Sequence, residues 1–237
     1  EQSDGGTLTA STVSASTSAT LTNSAAAIAL NGSFIADSLR VDASGTVTDG
    51  TDGDLDITNN AEFTGTSITL GNDAGNTTSF GSLTFNSIGA VVVQEDSATA
   101  LAGTNTALSL DLDSTDTITD GSTSVAITNL ADFNGTAINV GGAGTTTNFG
   151  TLTFNSAGSV VIQEDSSTAL GGVNTALSLD LDSTDAITDG SASVAITNLA
   201  DFNGTAITVG GAGTITNFGT LTFNSAGSVV IQEDSST

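Results

Sequence analysis

In the stretch LSLDLD, Leu177 to Asp182, apolar and polar residues alternate without a break. Period-two alternation places Leu177, Leu179 and Leu181 on one face of a strand, with Ser178, Asp180 and Asp182 on the other. Short runs of this kind fill the chain. Between 151 and 219 they read LTFNS, SVVIQ, TALGGVN, LSLDL, DAIT, SVAITN, ADFN, TAITV and GTITN, separated by Gly, Ser, Asp or Asn. Each predicts a short strand closed by turn residues. No segment carries a helical period, so an all-β fold is expected.

The runs recur. Residues 82–150 and 151–219 align without gaps and differ at 11 of 69 positions. A third, partial copy occupies 220–237, and 38–81 is a diverged copy of the latter part of the unit. Residues 1–37 are atypical and read as N-terminal coils or a cap. The cut in mid-repeat suggests a piece of a longer array. Within one unit, 151–174, 175–198 and 199–219 each hold three runs, which gives sub-repeats of 24, 24 and 21 residues. Three strands per sub-repeat read as one coil of a three-sided parallel β-solenoid, with coils of 19–26 residues about 4.8 Å apart. The chain has no Pro, as expected where nearly every N–H donates to an adjacent coil.

This phasing predicts two corner columns. Asn59, Ser79, Asn105, Asn129, Asn148, Asn174, Asn198 and Asn217 fall at the end of the third strand, turned inward, where stacked amides would satisfy corner backbone groups. Phe85, Phe133, Phe154, Phe202 and Phe223, with Leu110 and Leu179, form an inward column. The polar residue after each, from Asn86 and Asp111 to Asn224, gives a second corner column. Phe80, Phe149 and Phe218 are placed outside or beneath the Asn corner.

Charge narrows the partners. Arg40 is the single basic residue against 26 acids, for a net charge of -25. With no positive charge to neutralise phosphates, nucleic acid is excluded and an anionic membrane is disfavoured. A hydrophobic content of 37% is too high for a solvated acidic tail. No apolar run approaches the roughly 20 residues of a spanning helix, and no signal peptide opens the chain. There is no Cys, hence no disulfide framework. An acidic, Lys-free, Thr/Ser/Gly-rich chain suits an exposed bacterial surface.

Candidate chemistry is sparse. Each repeat carries Glu164, Asp165, Asp180, Asp182, Asp185, Asp189 and Asp201 or their equivalents. Calcium is the sharp reading of DLDSTDAITD, but the spacing matches neither an EF-hand nor the nonapeptide of calcium β-rolls. Solvated surface charge is the preferred reading, with Glu164, Asp189 and Gly210 falling in successive coils so that acids do not stack at every step. No metal ligand, cofactor-binding residue or catalytic residue is assigned. The chain lacks His, Cys and Lys, and every carboxylate recurs with the repeat where an enzyme site is unique. Thr-x-Thr segments do not form the regular rows of an ice-binding face. The triplets at 31–33, 76–78, 134–136 and 203–205 fit the N-glycosylation pattern.

The stretches ITNLADFNGTAITVGG and TLTFNSAGSVVIQED resemble the repeats of large bacterial surface proteins of the filamentous-haemagglutinin-like adhesin type. The resemblance covers roughly 38–237 and implies a right-handed parallel β-helix. The expected function is a structural, extracellular or surface-exposed fibre or stalk. The alternative is the shaft of an adhesin whose tip lies elsewhere. The expected partner is the chain itself, end to end or as a continuous filament. Val92, Val161 and Val230 face outward and offer a weak lateral contact.

Overall fold

Twenty-five β-strands and no helix make up the described residues, 5–234, of the computed structural model. The first four residues of the N-terminal segment and the last three of the partial repeat lie outside them. The chain divides into two compact units at Thr123/Ser124. Each is a three-sided parallel β-solenoid.

In the first unit one side is a ladder of short strands in register: Leu8, Ile28, Val47, Ile68, Val91 and Leu110 follow one another from coil to coil. A coil therefore takes 19–23 residues. The other two sides come from single long strands, Val13–Asn23, Phe34–Ala43, Leu55–Gly65 and Thr78–Ser87. Each pairs with the next in parallel but breaks register midway, as between Ala36 and Leu39. Such a bulge bends the strand round a corner without ending the ladder.

In the second unit the sides can be named. Side A stacks 124–127 on 146–149, continues through the turn at Asp165 into 168–170, whose Leu170 meets Leu152 at the corner with side B, and then stacks Thr168, Ile187, Ile207 and Val229. Side B stacks 130–135 on 151–156, then 173–176, 193–196 and 215–218. Side C stacks Ile138, Val160, Leu179, Ala200 and Leu221.

These ladders correct the expected phase of three coils per repeat. Ala131 stacks on Leu152 on side B, and the residues 69 positions later, Ala200 and Leu221, stack on each other on side C. In the same way Val125 of side A becomes Val194 of side B, and Ile138 of side C becomes Ile207 of side A. One repeat therefore spans ten sides, three coils plus one side, and each copy is turned by a third of a coil. The cause is local. TALGGVN, expected as one run, folds as two strands on two sides, Thr168–Leu170 and Val173–Ala176, while the single bulged strand Ser193–Asn203 covers sides B and C as SVAITN and ADFN were expected to.

The core follows the period-two pattern. Phe85, Phe133, Phe154, Phe202, Leu110 and Leu179 are buried, each burial contributing about 1.5–3 kcal/mol. They do not form one column, because Phe133 meets Phe154 on side B while Phe202 lies between Leu181 and Phe223 on side C. Phe223 is 54% exposed in the last described coil of that side. Phe80, Phe149 and Phe218 are inside, not outside, and pack against Phe63, Phe133 and Phe202 at centroid distances of 5.6–5.8 Å. Leu177, expected inward, is 43% exposed because its strand begins at Ser178, past the corner.

Candidate functional site

The expected Asn column does not exist. Asn59, Asn129, Asn148, Asn198 and Asn217 are exposed. Only Asn105 and Asn174 of that set are fully buried. The Asn174 Oδ1 accepts from the Phe154 N–H at 3.0 Å, and its Nδ2 donates to the Gly171 carbonyl at 2.7 Å. Asn105 bonds Phe85 and Ala102 in the same way. Asn174 does not stack on another Asn, since Val194 follows it in the ladder. The residues of the second polar column turn outward instead. Asn86 accepts from the Thr106 hydroxyl at 2.7 Å, and Asn203 donates to Asp182 at 2.7 Å.

Two carboxylates expected on the surface are inside. Glu95 and Glu164 are each 2% exposed. The Glu164 Oε1 accepts from the Phe149 N–H at 2.8 Å and the Ser166 hydroxyl at 3.0 Å, and its Oε2 accepts from the Thr168 hydroxyl at 2.6 Å. Asp165 adds a pseudo-ladder, its N–H donating to the Thr147 carbonyl and its Oδ2 accepting from the Thr147 N–H, both at 2.8 Å. Glu95 and Asp96 do the same for Phe80 and Thr78, and Glu233 and Asp234 for Phe218 and Thr216. At this turn, side-chain oxygens replace the carbonyl acceptors that a neighbouring strand would supply. Burial pushes the Glu95 and Glu164 carboxyls above the ordinary glutamate range, against the opposing pull of their hydrogen-bond donors. Alternation carried this signal: Val160, Ile162 and Glu164 share the inward parity.

Asp189 is another corner device. Its Oδ1 accepts from the Ser191 N–H and its Oδ2 from the Gly210 N–H, each at 2.8 Å. Gly210 needs to be glycine: its φ is +79°, and a Cβ would sit 2.1 Å from the Gln232 carbonyl oxygen. Glu164 lies beside Ser183 in the ladder, not Asp189.

The outward acids gather on side C. Asp180 and Asp201 are direct neighbours in adjacent coils, contrary to the expected spreading of carboxylates. Burial first, then Asp182 and Asp201, raises the Asp180 carboxyl. Nearby, a surface cleft of about 750 Å³ is lined by Gln163, Asp165, Asp182, Asn203, Thr205 and Asn224, among others. Among the described residues, no group of three or more His, Cys, Asp or Glu converges to hold a metal ion. Of the glycosylation-type asparagines, Asn76 and Asn203 have their amides bonded to Asp49 and Asp182. Arg40 pairs with Glu62, its register neighbour on the next coil, and with Asp42.

The chain matches no protein-family model, no curated protein and no solved structure.

Proposed function

We propose that the chain is a non-catalytic structural element, a surface-exposed or extracellular stalk of bacterial type in which repeats supply length. The observation that carries this reading is the use made of its polar groups. The buried carboxylates and amides are spent on corner backbone, and the outward acids recur with the repeat, so no single cleft concentrates unique groups. A net charge of -25 keeps such stalks soluble and apart. The resemblance to filamentous-haemagglutinin-like repeats points the same way.

The test is a series of chains with one, two and three inserted copies of 151–219, measured by small-angle X-ray scattering. Ten sides are three and a third coils, so each copy adds about 16 Å to the longest dimension at about 4.8 Å per coil, with an unchanged cross-section. A dimension that fails to grow with repeat number would overturn the reading. Antibody labelling of intact source cells tests the surface placement.

A further inference from the structure

We infer that side B of the second unit is a self-association face, which packs on the same face of a second copy of this chain. Four of its five strand segments, 151–156, 173–176, 193–196 and 215–218, contain no charged residue, and Asp132 of 130–135 lies at one end of the side. The neighbouring sides carry the acids: Asp180, Asp182 and Asp201 on side C, Asp165, Asp185 and Asp189 near side A. Large aliphatic side chains mark both margins. Val173 and Ile215 are 47% and 65% exposed and share one column, with Ser193 between them. Leu177 and Leu199 are 43% and 40% exposed at the opposite corner. They lie on adjacent coils, where the Asn198 N–H donates to the Leu177 carbonyl at 2.8 Å. Between the margins runs a column of Thr175, Ala195 and Asn217.

Charge selects the occupant. A cationic partner would be drawn to the carboxylates of side C. A second copy repels this one nearly everywhere, since 26 acids face one base. Over these four segments of side B, two copies meet neutral on neutral, aliphatic margin on aliphatic margin, related by a two-fold axis that keeps the Asp132 ends apart. Area sets the strength. Val173 to Leu177 spans about 13 Å and four coils about 14 Å, roughly 200 Å² against the ~800 Å² per partner of a stable pair. One patch therefore associates weakly. Several in one array would act together, and because each repeat turns by one side, successive patches engage neighbours in different directions. Only this use in an array rests on the stalk reading; the face itself does not.

Sedimentation equilibrium of the 237-residue chain at about 0.1 M and about 1 M NaCl tests this, the Debye length falling from about 10 Å to about 3 Å. The expected result is monomer at low salt and concentration-dependent association at high salt. Ala195→Asp and Ile215→Asp should each raise the high-salt dissociation constant about tenfold or more, with unchanged circular dichroism and urea midpoint. Thr222→Asp, on side C, should leave it unchanged. A chain that stays monomeric at high salt overturns the inference. So does a folded Ala195→Asp variant that associates like the parent, or equal losses in all three variants. None of these outcomes affects the scattering series, which tests the stalk reading.

Discussion

Replacing Glu164 by Leu should destabilise the fold by about 1–3 kcal/mol at neutral pH. The change strands the Phe149 N–H and the Thr168 hydroxyl, both buried and both bonded to this carboxylate. Each stranded donor costs about 1–3 kcal/mol. The two together cost about 4 kcal/mol at mid-range, the Leu side chain returns about 2 kcal/mol of apolar burial in the same space, and the difference of about 2 kcal/mol is the centre of the loss above. Urea unfolding followed by far-UV circular dichroism reads it. At an m-value of about 3 kcal/mol/M the midpoint falls by roughly 0.3–1 M. Glu164→Gln keeps an acceptor for Phe149 and should lose less. It also removes a titration. Because burial raises the folded-state pKa above the unfolded value, the native chain holds the proton more tightly. The stability linked to that proton is fully present below the unfolded pKa and is lost as pH rises through the folded one. The parent should therefore gain stability as pH falls from 7 towards about 4.5, and Glu164→Gln should flatten that gain. Two results would refute the reasoning: a Glu164→Leu midpoint equal to the parent's at pH 7, or an unchanged pH slope in Glu164→Gln.

Asn174→Leu should cost about 1–3 kcal/mol by unpairing the Phe154 N–H and the Gly171 carbonyl, whereas the exposed Asn198→Leu should stay within about 0.5 kcal/mol of the parent; equal urea midpoints for the two would contradict the assignment. Gly150→Ala places a Cβ 2.1 Å from the Thr128 carbonyl oxygen, so it should lower the thermal midpoint clearly, while Gly144→Ala meets no atom within 4 Å and is limited to the strain of its positive φ.

Period-two alternation carried most of the fold. The inward Val160, Ile162, Leu179 and Leu181 could be read directly from it, and with them the parallel stacking and the coil length. The phase could not. Corners in this chain are made in two ways, by Gly-containing breaks such as Gly171–Gly172 and by bulges inside continuous strands such as Ser193–Asn203. Only the first leaves a mark in composition. TALGGVN reads as one run yet serves two sides, which puts the phase out by a third of a coil, and the expected Asn column follows from that grouping. The burial of Glu164 is hidden for another reason. Its parity pointed inward, but an isolated glutamate is ordinarily solvated, and its three donors come from Phe149, Ser166 and Thr168, of which only the last two are near in sequence.

The phase of the repeat bears on function more than any single residue does. A solenoid that offers one flat face to an extended ligand needs a whole number of coils per repeat, so that identical residues recur in one direction. Ten sides per repeat break that condition, yet the packing is preserved, because each residue keeps its stacking neighbour from copy to copy: Asp132 meets Thr153 as Asp201 meets Thr222. The repeat is thus constrained by its core and free in its outward direction. That suits an element whose contacts are distributed around its axis and disfavours a ligand arrayed along one side. Spin labels at Asp132 and Asp201, equivalent positions on sides B and C, test the point by pulsed electron paramagnetic resonance. In-phase repeats would hold the two backbones about 14 Å apart, three coils at about 4.8 Å each. Repeats turned by a third of a coil place them on different sides, beyond about 20 Å once the width of a side is added to the rise. A distance near 14 Å would restore three coils per repeat and, with it, a face on which one ligand could line up.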